Sequence, residues 1–171
     1  QVFNKQYLLE SLGAAFTLAQ TQRQPLAVIY FDLDFFKRVN DTYGHGCGDF
    51  ILRESAQLAK SCLREEDVLG RYGGEEFVVV MPDSSDEVGI KVAERLRATV
   101  AAVPVTVPGA PQPIPVTVSV GVAVVTPGET GSEAMRRADE ALYVAKSTGR
   151  NKVSQARGAP SPGRARPAVA G

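Results

Sequence analysis

Carboxylates come in pairs at two places where the chain is otherwise apolar, and binding a cation is the chemistry such pairs can do. Asp32 and Asp34 close the run LAVIYFDLD, and the i, i+2 spacing in an extended strand points both carboxylates to one side of a sheet. Glu75 and Glu76 follow Gly73-Gly74. Successive strand residues face opposite ways, so at most one of these glutamates readily joins the Asp32 side, and Glu75, next to the turn, is the expected one. Two carboxylates about 4 Å apart repel by roughly 4 kcal/mol at an effective dielectric of 20, and a bound cation reverses that sign. Oxygen donors alone suit a hard divalent ion, magnesium or manganese. The plainer reading is that an acid at a strand end merely caps it. Lys146 and Arg150 lie four apart around the end of a helix, where two cations can meet one anion or sit solvated at the negative end of the helix dipole. The segment GHGCGD, Gly44 to Asp49, is glycine-rich and fits either a phosphate cradle or a simple turn, and His45 within it suits a structural role better than a catalytic one.

The elements that must position these groups follow from apolar spacing. Tyr7, Leu8, Leu12, Ala15, Phe16 and Ala19 predict an amphipathic helix over 2–22, ended before Pro25. Leu26 to Leu33 reads as a strand buried on both faces. A brief helix is expected over 34–42, then a glycine-rich loop, with Asp49 capping a helix that runs to about Leu63. Strands over 68–72 and 77–81 are joined across Gly73-Gly74, where glycine accepts positive φ at little cost. A helix over 85–102 carries Val88, Val92, Leu96 and Val100 on one stripe. The proline- and glycine-rich stretch 106–115 reads as a surface connection, and VTVSVGVAVV, 116–125, alternates as a strand in which Gly121 could mark a bulge. A last helix over 133–147 and an edge strand over 152–154 complete one domain, residues 1–155. The Ala/Pro/Gly/Arg stretch 156–171 is expected to be a disordered tail.

Composition narrows the chemistry further. The chain has 171 residues, of which 44% are hydrophobic, enough for one domain with a core. Nineteen Lys and Arg balance 19 Asp and Glu, so no overall field draws it to nucleic acid or an anionic membrane, and any phosphate binding must be local. His45 is the only histidine, which disfavours a histidine-built zinc site. Cys47 and Cys62 lack metal-ligand spacing, and without a signal segment they suggest reduced thiols in a cytoplasm. No apolar run approaches the roughly 20 residues that cross a bilayer, so no membrane contact is expected from this piece.

Taken in order, RYGGEEF (71–77), DLDFFKRVNDTYGHGCGD (32–49), SVGV (119–122), RADEALY (137–143) and AKSTGRN (145–151) resemble the GGDEF family of diguanylate cyclases, over nearly all of 4–153. The resemblance implies an α+β, palm-like domain with a central, mostly antiparallel sheet flanked by helices, similar to the catalytic palm of adenylyl cyclases and polymerases. It implies two-metal phosphoryl transfer that condenses two GTP into cyclic di-GMP, with two domains facing one another as a homodimer.

Carried over residue by residue, it assigns metal coordination to the Asp32 carboxylate, the Leu33 carbonyl and Glu75. Guanine recognition falls to Asn40 and Asp49, since a carboxylate accepts from N1-H and N2-H2 while an amide both donates and accepts. An acid at Asp49 favours GTP over ATP. Lys37, Lys146, Arg150 and the backbone amides at Phe35 and Phe36 are matched to the phosphates, although at least one of the two rings is expected in the core. Glu76 is a catalytic candidate that could hold a second metal, assist removal of the 3'-OH proton or support the fold. Arg64 and Asp67 match an inhibitory RxxD site for cyclic di-GMP, in which Arg64 stacks on a guanine, Asp67 accepts from it and Arg95 completes the site across a dimer. The family's DxLT opening and following arginines are missing before and after Asn4, which suggests a piece of a longer sensor protein. A catalytically silent receptor for cyclic di-GMP or GTP, a cyclase accepting ATP, and a purely structural module are the alternatives.

Overall fold

The computed structural model describes residues 1–158. Its centre is β1 (Leu26–Leu33), whose eight residues are all buried because neighbours cover both edges and both faces. The sheet order is β2-β3-β1-β4-β5, with β2 (Val68–Arg71), β3 (Glu76–Pro82), β4 (Val118–Val124) and β5 (Val153–Gln155). β1 is antiparallel to β3 and to β4, β2 is antiparallel to β3, and only β5 runs parallel to its neighbour. The sheet is thus the mostly antiparallel one expected.

Period-two alternation divides the sheet's residues between two cores. Ala27, Ile29, Phe31 and Leu33 face α3 (His45–Ser61) and α4 (Asp86–Ala102), packing on Ile51, Ala59, Ala93 and Leu96. Leu26, Val28 and Tyr30 face α1 (Lys5–Gln22) and α5 (Gly131–Ser147), packing on Leu8, Leu12, Ala138 and Leu142. α2 (Phe36–Tyr43) lies at the end of β1 and leads into α3.

Several boundaries differ from the sequence expectation for identifiable reasons. Helix α1 starts at Lys5 because Asn4 Oδ1 caps it by accepting from Tyr7 N at 2.9 Å. Phe3 ahead of it bridges to Gly70 on the sheet's edge instead of joining the helix. Asp49 is no cap: α3 begins at His45 after Gly44 (φ 89), so the glycine-rich loop expected there is mostly helix. Gly121 marks no bulge, since β4 keeps register with β1 through Tyr30↔Gly121. It is needed because a methyl there would come within 2.0 Å of the Ala138 carbonyl oxygen, so the missing side chain lets α5 lie directly on the strand.

The stretch 106–115 is more than a surface connection: Val105 bridges to Ile114, and Val107, Ile114 and Val116 are buried. Helix α5 starts at Gly131, two residues early, because Thr130 and Glu133 form a reciprocal capping box. Ala156 and Arg157 are still tied to the fold, through Ala156 N to Val122 O and Arg137 Nη1 to Arg157 O. The rest of the expected tail, 159–171, lies outside the described residues.

Candidate active site

Asp32 is the last-but-one residue of β1, with Glu76 opposite it on β3 and Ser119 opposite it on β4. Such a position is closed by both neighbouring strands, and Asp32 is 1% exposed. Its Oδ2 is ion-paired with Lys146 Nζ from the last turn of α5, whereas Oδ1 is buried with no hydrogen-bond partner among the described residues. Burial pushes the Asp32 carboxyl up to about 6, against the opposing pull of Lys146. Asp34 and Glu75 add smaller like-charge contributions in the same direction as burial. A buried anion with one orphaned oxygen and acids close by is a place where a further cation would be stabilised.

Asp34 does not join Asp32 at a shared ion. It lies one residue past the end of β1, and its carboxylate accepts from Thr117 Oγ1 (2.7 Å), Ser119 Oγ (2.6 Å) and Asn151 N (3.0 Å). Both acids lie on one side of the sheet, as expected: Ser119, which donates to Asp34, is the register partner of Asp32, and the Asp34 charge acts on the Asp32 carboxyl.

The two glutamates are separated by the start of β3. Glu76 is in the strand and is the register partner of Asp32, whereas Glu75 precedes it in the turn, where strand alternation does not apply. Glu76 reaches back beside Gly73, where a methyl would come within 2.8 Å of its Oε2. Burial above all, then the Glu76 carboxylate, holds the Tyr30 hydroxyl protonated well above the ordinary tyrosine range. The turn itself is fastened by Arg71, whose Nε and Nη2 donate to Gly74 O at 2.9 and 2.6 Å. This tie was not visible in the sequence, because one arginine before two glycines has no characteristic spacing.

Glu75, Lys146 and Arg150 line a cavity of about 450 Å³ together with Leu33, Asp34 and residues 35–38. Phe35 is left-handed (φ 56) and half exposed, and its ring is flanked by the guanidinium groups of Arg38 (4.6 Å from the centroid) and Arg150 (4.5 Å). Phe36 turns the other way into the core, so one ring of the pair is structural, as expected. Lys37 lines the cavity but extends into solvent, where it pairs with Asp41 at 2.8 Å. The first turn of α2 therefore faces this basic cavity with its unbonded amide groups.

On the other side of the turn, Gly73 and Gly74 line a cavity of about 970 Å³ with Asn4, Lys5, Asp49, Leu52, Arg53 and Tyr72 among its walls. Asp49 is exposed there. Asn40 Oδ1, in contrast, is buried against Gly48 without a hydrogen-bond partner among the described residues. The close packing of α2 on α3 at Gly48 is what brings Asn40 beside the turn of helix that carries Asp49.

Neither Arg64 nor Asp67 lines either of these cavities. Asp67 is 2% exposed and spends both oxygens on Arg64, accepting from its Nη2 at 3.0 Å and its backbone N at 2.9 Å. In this conformation Asp67 anchors Arg64. Arg64 also donates to Pro82 O (2.8 Å) and Ser84 Oγ (2.9 Å), and Arg95 donates to Cys62 O at 2.5 Å. The buried pair Arg137–Glu129 (2.5 Å), unmarked by the sequence reading, ties the second turn of α5 to the loop before it.

A mixed five-stranded sheet with helices on both faces and a buried acid at the end of its central strand defines a palm-type α+β domain. The chain belongs to the family described as diguanylate cyclase, GGDEF domain, whose model matches residues 1–152. It is 42% identical over 151 residues to the response regulator PleD of Caulobacter vibrioides, which covers 88% of this chain and 33% of that protein. The match spans between 19% and 36% of the length of such curated relatives.

Among solved structures, it is similar to the GGDEF domain of DgcB from Caulobacter crescentus in complex with cyclic di-GMP, with a TM-score of 0.88, 32% identity and coverage of 92% of this chain and 90% of that one. It is equally similar in fold to the active GGEEF domain of a diguanylate cyclase from Vibrio cholerae, with a TM-score of 0.86, 35% identity and coverage of 93% and 100%. Among the described residues, no helix is long and apolar enough to cross a membrane.

Proposed function

We propose that the domain is the catalytic unit of a diguanylate cyclase, which condenses two GTP into cyclic di-GMP with release of two pyrophosphates. The observation that carries this reading is Asp32, a buried carboxylate with an orphaned oxygen, standing beside a cavity that Glu75, Lys146 and Arg150 line.

The residues fit a divalent ion, magnesium or manganese. Asp32 and Glu75 would supply carboxylates, and Leu33, whose carbonyl would be a further oxygen donor, lines the same cavity as Glu75. Among the described residues no group of three or more His, Cys, Asp and Glu could hold a metal alone. That suits magnesium, which uses one or two carboxylates and takes its remaining ligands from water and substrate phosphate. When bound, the ion withdraws charge from the α-phosphate and activates a hydroxyl.

The chain's own residues do the rest. Lys146 and Arg150 hold the β- and γ-phosphates and stabilise the departing pyrophosphate. Lys37 and the amides at Phe35 and Phe36 close the phosphate end. Asp49 and Asn40 take the guanine in the larger cavity, with the glycine turn between base and phosphates. The 3'-oxygen of one nucleotide attacks the α-phosphorus of the other as the bond to the pyrophosphate oxygen breaks, and Glu76 assists removal of the 3'-OH proton. Two symmetrical 3' to 5' linkages require two domains facing each other, so a homodimer is the active form and positioning supplies much of the rate.

Arg64, anchored by Asp67 and assisted by Arg95, receives the product as an inhibitor. The setting is cytoplasmic, within a longer signalling protein, and neither nucleic acid nor membrane is a partner of this domain. Incubation with GTP and magnesium, followed by chromatographic identification of the nucleotide, should yield cyclic di-GMP. Unchanged GTP at protein concentrations that support a dimer would remove the proposal in favour of a silent receptor.

A further inference from the structure

We propose that Asp34 is a positioning residue for Arg150, acting by clamping the turn that follows α5. The inference rests on the reading above, in which Arg150 binds nucleotide phosphates.

That turn is conformationally expensive. Gly149 (φ 123), Arg150 (φ 62) and Asn151 (φ 45) are three consecutive residues with positive φ, and two of them carry side chains. A non-glycine residue in this region is strained and persists only where its surroundings fix it. Three contacts do so here. Arg150 N donates to Ala145 O at 3.0 Å, Asn151 Oδ1 accepts from Arg97 Nη1 at 2.9 Å, and Asn151 N donates to Asp34 Oδ2 at 3.0 Å.

Asp34 is itself rigid. It is 7% exposed, its backbone N bonds to Thr117 O at 2.9 Å, and the hydroxyls of Thr117 and Ser119 donate to its two oxygens. Its next neighbour in the chain is Phe35, on whose ring the Arg150 guanidinium rests at 4.5 Å. One carboxylate therefore fixes the main chain beside Arg150, and the residue bonded to it supplies the surface on which the Arg150 side chain lies. Loss of the clamp frees Arg150 to leave the cavity without touching the guanine end of the site.

The test compares the affinities of a non-hydrolysable GTP analogue and of GMP, both with magnesium, by calorimetry. The ratio of the two isolates what the outer phosphates contribute. Asp34→Asn keeps the shape and removes one charged acceptor, and should reduce that ratio about tenfold while GMP binds as in the native chain. Arg150→Ala should reduce the ratio as well, and the double variant should be no worse than Arg150→Ala alone.

Equal weakening of GMP and analogue in Asp34→Asn, no change in the ratio, or additive losses in the double variant would overturn the proposal. A ratio unmoved by Arg150→Ala defeats the phosphate reading of Arg150 and the proposal with it, a result distinct from failure of the clamp alone. Should Asp34→Asn lose its circular dichroism signal, Thr117→Val, which removes one donor to Asp34, is read on the same scale and should give a smaller loss of the same ratio.

Discussion

Lys146 Nζ rests on Asp32 Oδ2, so the buried acid assigned to a metal and the cation assigned to phosphate are each other's counterions before either meets a ligand. The Asp32 side chain is 2% exposed and that of Lys146 34%, so the lysine borders solvent while the aspartate is enclosed. If the proposed assignments hold, nucleotide entry would let each partner exchange like for like, Asp32 an ammonium for a metal ion and Lys146 a carboxylate for phosphate.

Lys146→Met should therefore move two affinities in opposite directions. Binding of the GTP analogue should weaken by about tenfold or more, as expected for a lost charge-assisted contact. Manganese without nucleotide, followed by electron paramagnetic resonance, should bind more tightly, because no tethered cation competes for Asp32. Parallel weakening of both would contradict the exchange.

Asp32 also links stability to pH. Its carboxyl is raised from 3.8 to about 6, so the folded chain holds this proton more tightly than the unfolded one. The contribution favours folding fully below about pH 4 and is lost as pH rises through about 6. Asp32→Asn should stabilise the metal-free fold at pH 8, by on the order of 1 kcal/mol once solvent screening and the unpaired Lys146 are allowed for, and by nothing near pH 4. Thermal melts at the two pH values check this.

Arg71→Ala frees the carbonyls of Gly73 and Gly74 at the exposed turn. Cyclic di-GMP formation should fall more than tenfold while the melting temperature moves by only a few degrees, since exposed hydrogen bonds contribute about 1 kcal/mol each or less. A large stability loss with activity retained per folded molecule would mean that the arginine serves the fold alone.

Gly121→Ala should do the reverse, costing about 1–3 kcal/mol or more in chemical denaturation because the methyl meets α5 backbone and not a yielding side chain. Activity should fall with it, since α5 carries Lys146.

The sheet, its two cores and most helices were legible because apolar period and glycine or proline punctuation report burial directly. Asp32 and Glu75 were legible as acids out of place in apolar surroundings. Asp34 was legible as an acid on the Asp32 side, but not that its oxygens are taken by Thr117, Ser119 and Asn151, partners that only tertiary packing brings to it. Gly121 was misread because a glycine in a strand gives the same signal for a bulge and for a helix pressed against it. The Arg71 tie, the Arg137–Glu129 pair and the burial of Asp67 were out of reach, since each depends on partners brought together by tertiary packing.

The most direct measurement is cyclic di-GMP produced from GTP and magnesium by Glu75→Ala beside the native chain, both verified as folded by circular dichroism. Loss of product to background, with the melting temperature essentially unchanged, is the predicted result. Native-like product from the variant would contradict the assignment of catalysis to the acids at the head of β3 and the end of β1.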